Sequence, residues 1–75
     1  MAVNVMLGGD AQLYRSTAHF REELDYNDSE HIGSGDLAKM VRLALSDPDD
    51  EVWRYSILHG GKAYHGERIR LLGRM

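Results

Sequence analysis

Four histidines, His19, His31, His59 and His65, and the run "HGGK" at residues 59–62 are the residue types that bind metal or phosphate. A phosphate cradle needs a strand running through several glycines into a helix amino terminus, with a lysine reaching the oxygens. "HGGKAYHG" supplies Gly60, Gly61 and Lys62, but it lacks a hydroxyl residue after the lysine and an earlier glycine at the required spacing. A tight hairpin turn accounts for it better, because both central positions of such a turn favour positive φ. The histidines show no His-Glu-x-x-His or comparably compact ligand spacing, and there is no cysteine, so no zinc site and no disulfide framework is expected.

Calcium has one partial match. In "DYNDSEHIGSGD", Asp25, Asn27 and Ser29 stand at loop positions 1, 3 and 5, with Asp36 at position 12. Glu30 occupies the place where glycine makes the sharp turn, and an aspartate replaces the longer bidentate glutamate, so an ordinary solvated acidic loop is the expectation. For nucleophilic catalysis, Ser16, Thr17 and His19 lie close in sequence, with no carboxylate evident beside them as the orienting third group. A short chain also has little volume for a pocket of the usual ~300 Å³ or more. No catalytic residue and no cofactor is expected, and the chain reads as a non-enzyme.

The net charge of −3 conceals a division. Residues 1–50 carry four basic and ten acidic side chains, and residues 51–75 carry five basic and two acidic. Arg54, Lys62, Arg68 and Arg70 concentrate in a basic carboxy-terminal hairpin (51–72), facing an acidic loop (21–35) that contains Glu22, Glu23, Asp25 and Asp28. Such a split fits intramolecular pairing, a head-to-tail contact between copies, or an anionic partner. Trp53, Tyr55 and Tyr64 interleave with the basic residues as they do in single-strand binders, although a domain with one tryptophan and one phenylalanine needs its rings for the core.

The elements that position these residues follow from periodicity. Leu37, Met40, Val41, Ala44 and Leu45 recur at helical spacing, with Ser34 or Asp36 as cap and Pro48 as stop, so a helix is expected over about 36–46. "EVWRYSIL" reads as a strand with Trp53, Tyr55 and Ile57 on its core face. The Gly60-Gly61 turn then pairs His59 with Lys62, Leu58 with Ala63, Ile57 with Tyr64, Ser56 with His65 and Arg54 with Glu67. "ERIRLL" fits strand or short helix, and strand is taken. Val3, Val5 and Leu7 alternate as a first strand; a second is read from residue 11 to about 20, with Tyr14, Ala18, Phe20 and Leu24 on one side.

The resulting order is β-β-loop-α-β-β in a single domain over 1–75. This is a small α+β two-layer fold with one main helix on an antiparallel sheet. No signal peptide, lipidation motif or apolar run of membrane-spanning length is present, so a cytoplasmic protein with no membrane contact is expected. At 75 residues only about 60% of the unfolded chain's surface is buried, and self-association is a common support for so small a core. The function expected is a protein-interaction module that binds a partner, including a second copy, through the basic hairpin and the acidic loop. The alternative is a single-stranded nucleic-acid binder.

Overall fold

The computed structural model describes residues 10–74. The elements run β1 (Ala11–Ser16), a 3₁₀ turn (Arg21–Glu23), β2 (Ser29–Gly35), α1 (Leu37–Leu45), a second 3₁₀ turn (Val52–Arg54), β3 (Tyr55–His59), β4 (Lys62–His65) and α2 (Glu67–Leu72). The four strands form one sheet in the order β2-β1-β3-β4, every neighbour antiparallel. The α+β, two-layer class expected from the sequence holds, with α1 and α2 packed on one face.

Each strand alternates between a helix-facing and an open side. Gly33, Leu13, Ile57 and Tyr64 make one helix-facing row across the sheet, and Gly35 with Ala11 make another. Ala11, Leu13, Ile57, Met40, Val41, Ala44, Val52, Tyr55 and Ile69 form the core, and Leu37, Leu45, Tyr64 and Leu72 pack around it. Gly33 and Gly35 lie under α1: a Cβ at either would stand 3.8 Å from the Met40 side chain, which fills the space they leave.

Asp36 takes the cap position of α1 without a side-chain cap bond, and Ser46 closes its other end with its hydroxyl donating to the Arg42 carbonyl at 2.6 Å.

Residues 29–35, read as part of an acidic loop, form the edge strand β2, which holds by pairing along β1 with Ile32 bulged out between Gly33 and His31. Residues 67–72, read as strand, form α2. Helical spacing wins there because Ile69 and Leu72 must reach the core together. The strand through Trp53 begins only at Tyr55, with Val52–Arg54 in a 3₁₀ turn, so the Arg54–Glu67 pairing does not form. The other four hairpin pairs occur as expected.

β1 ends at Ser16, and its buried side is Ala11 and Leu13, with Tyr14 on the open face. The expected strand at Val3, Val5 and Leu7 lies outside the described residues. Among the described residues, no helix is long and apolar enough to cross a membrane.

Candidate functional site

Two layers leave the second face of the sheet open. Its residues follow from the register: His31, Tyr14, Ser56 and His65 stand in one row across four strands, Ser34, Gln12, Leu58 and Ala63 in the next, and Ser29 beside Ser16 at the end. None of these ten is charged, although a chain that is 28% charged would place about three charges among them; Ser16 and Ser56 are buried, and the other eight are exposed or half-buried. Solvent-facing strand positions ordinarily take the polar and charged residues.

The row is ordered by its rings. His31 meets Tyr14 edge-on with centroids 5.2 Å apart, and its Nε2 lies 2.8 Å from the Gln12 amide oxygen. At the other end Tyr26 lies flat on His65, with centroids 4.1 Å apart and planes 20° from parallel. Tyr26 comes from the β1–β2 loop, which is held over the sheet by several bonds. The Tyr26 hydroxyl donates to the Trp53 carbonyl at 3.2 Å, the Ser29 hydroxyl donates to the Tyr26 carbonyl at 2.9 Å, and the Thr17 amide donates to the Asp28 carbonyl at 3.1 Å. Partial burial raises the Tyr26 phenol above its ordinary acidity range. Between this loop and the sheet lies a shallow concavity of about 340 Å³, lined by Tyr14, Tyr26, Asn27, Ser29, Ser56, Leu58 and His65.

The residues singled out from charge separate into two groups. Arg54 precedes β3; its Nε approaches Glu51 Oε1 at 3.2 Å, off the line of a hydrogen bond, and its guanidinium lies 5.3 Å from the Trp53 ring centroid. Arg70 lies on α2 and pairs with Glu67 at 3.0 Å and Asp50 at 3.6 Å; the Glu67 hydrogen bond and charge hold it above its usual range. Both are therefore engaged within the chain. Lys62 on β4 and Arg68 on α2 are exposed, with no carboxylate partner among the described residues. Of the four basic residues only Lys62 belongs to the hairpin itself. Glu22, Glu23, Asp25 and Asp28 stand exposed on the β1–β2 loop.

The cation spacing starting at Asp25 does not wrap. Asp25 Oδ1 accepts the Asn27 amide at 2.9 Å, and the later positions run straight along β2. His59 faces the helix side and His65 the open side, so they are held apart.

A carboxylate group that sequence spacing did not single out is Asp47, Asp49 and Glu51, whose oxygens lie within 4.8 Å of one another. Its atoms are engaged: Asp47 Oδ1 accepts the Asp49 amide at 2.7 Å, Asp47 Oδ2 accepts the Tyr55 hydroxyl at 2.7 Å, and Glu51 pairs with Arg54. Burial pushes Asp47 up, but the Tyr55 hydroxyl, the amides of Asp49 and Glu51 and the charge of Arg15 outweigh it, leaving the acid below its usual range. Burial first, then the bond and charge of Asp47, push Tyr55 from 10.0 up to about 12.

These two shifts have opposite pH signatures. Asp47 contributes stability above the unfolded carboxylate range, lost as pH falls through it. Tyr55 contributes stability below 10.0, lost as pH rises from there towards about 12. Tyr55→Phe is expected to cost about 1 kcal/mol at neutral pH. Urea titrations of both proteins at acid, neutral and alkaline pH check this: the difference should shrink at both extremes, and a pH-independent difference contradicts the pairing.

Another concavity, about 480 Å³, lies between the helices and is lined by Leu37, Ala38, Val41, Arg42, Leu72 and Gly73. Both concavities exceed the size expected for so short a chain, and both are open to solvent. No family model, no curated protein and no solved structure matches the chain.

Proposed function

We propose that the protein is a non-enzymatic protein-interaction module that associates with a second copy of itself through the open face of its sheet. The observation that supports this most directly is the absence of charge from the ten face positions. The centre of a protein interface is depleted in charged side chains and enriched in aromatic ones, and charges collect at its rim. The acidic loop that borders the face through Tyr26 and Asn27 leaves Glu22, Glu23, Asp25 and Asp28 exposed, and Lys62 and Arg68 are exposed on β4 and α2. Charges of opposite sign left unpaired within one copy orient the approach of another and add little to its affinity.

Sedimentation equilibrium across concentration at low and high salt tests the reading. Association should grow with concentration and weaken by a few fold between 0.1 M and ~1 M salt, where the screening length falls from about 10 to about 3 Å. A chain that stays monomeric up to millimolar concentration at low salt removes the reading. A second reading, single-stranded nucleic acid, draws on one observation: Tyr14, Tyr26 and His65 line a single concavity on a sheet face. No cation stands among those face positions to meet phosphate. Titration with an oligonucleotide at low salt, following Trp53 emission, tests it, and unchanged emission removes it.

A further inference from the structure

Phe20 is the chain's single phenylalanine, and it is 63% exposed. It stands on the β1–β2 loop next to Arg21, whose guanidinium lies 5.9 Å from the Trp53 ring centroid. The same loop supplies Tyr26 and Asn27 to the wall of the open-face concavity. One loop therefore offers an uncovered ring and helps to build a receptor for a ring.

We propose that Phe20 of one copy seats in the Tyr14–Leu58–His65 concavity of a second copy, and reciprocally, as a two-fold dimer. This rests on the self-association reading above and names its anchor. In a two-fold interface each copy contributes the same patch, so a projecting group and its receptor on one surface are satisfied together. The receptor suits an uncharged ring: Leu58 is 44% exposed on its floor, Tyr14 and the Tyr26–His65 stack give ring faces, and no charge needs desolvation.

Area decides how strong the contact is. Four strands at about 4.8 Å and five residues at about 3.3 Å make a sheet face of about 300 Å². That is well below the roughly 800 Å² per partner of a stable complex, so the flat face alone does not hold a dimer. Burying Phe20 and its loop raises each side to about 500 Å² and the total to about 1,000 Å², the lower limit of a specific contact. The dimer is weak, and Phe20 carries most of its selectivity.

Phe20→Ala and Leu58→Glu both alter exposed side chains, so each variant keeps its fold, checked by its far-UV spectrum. In sedimentation equilibrium each should weaken self-association at least about 30-fold. Mixing the two variants restores one of the two seatings, and the mixture should associate more tightly than either variant alone. Wild-type-like association of Phe20→Ala overturns the anchor while leaving self-association standing. A mixture no tighter than its components overturns reciprocal seating. A wild-type chain that remains monomeric removes the parent reading and the anchor with it.

Discussion

Ile57→Ala is expected to remove a large share of the domain's stability. Ile57 is fully buried at the centre of the sheet, between Leu13 on β1 and Tyr64 on β4, beneath the core residues of α1. Removing its branched side chain costs the transfer energy of the lost carbons plus the cavity left behind, about 2–5 kcal/mol. A domain of 75 residues holds a total of about 4–11 kcal/mol. The loss therefore consumes from a fifth of the stability to all of it, and the fold has no disulfide to limit unfolding. Urea denaturation followed by Trp53 fluorescence reads the change. Leu71→Ala, at a position 57% exposed, is the matched control and should move the midpoint little. A buried-site variant no weaker than that control would mean that this sheet does not carry the core.

The second large effect is expected from Gly60→Ala/Gly61→Ala. Both residues have positive φ, 60° and 79°, and nothing lies within 4 Å of a Cβ added at either. The cost is thus conformational rather than steric against neighbours, roughly 1–2 kcal/mol per residue and about 2–4 kcal/mol together. Gly60→Asn separates the cause, since asparagine tolerates left-handed backbone and should recover most of the loss relative to Gly60→Ala. The urea midpoint should fall in the double variant with the slope unchanged. Equal losses for alanine and asparagine at position 60 would contradict the turn.

Some of the candidate site was legible in advance and some was not. The hairpin register was readable residue by residue because two glycines and a period-two pattern act locally, so Ser56 opposite His65 follows from the sequence alone. The face that Tyr14 takes was not legible. Its aromatic character argues for the core, but the buried side of β1 is taken by Ala11 and Leu13, and Tyr14 turns to the open face. The charge division was real as composition and incomplete as a surface. Arg54 and Arg70 neutralise carboxylates of their own chain that lie three positions away or in a neighbouring turn. Local spacing contained the Glu51–Arg54 and Glu67–Arg70 pairs, which a helical turn brings together.

The sequence by itself determined α1, the Gly60-Gly61 hairpin and the two-layer class. Each rests on interactions between residues near in the chain: an apolar stripe at helical spacing, a proline stop, and a turn that only glycine enters at no steric cost. Tertiary structure decided β2, α2 and the uncharged face. "SEHIGSG" has neither strand propensity nor an apolar side. It becomes a strand because β1 supplies its hydrogen bonds and because Gly33 and Gly35 leave the space that Met40 of α1 fills. "ERIRLL" satisfied two periods equally until the core claimed Ile69 and Leu72 together. The open face is a property of four strands laid side by side, drawn from residues as far apart as Gln12 and His65, and no window along the chain contains it.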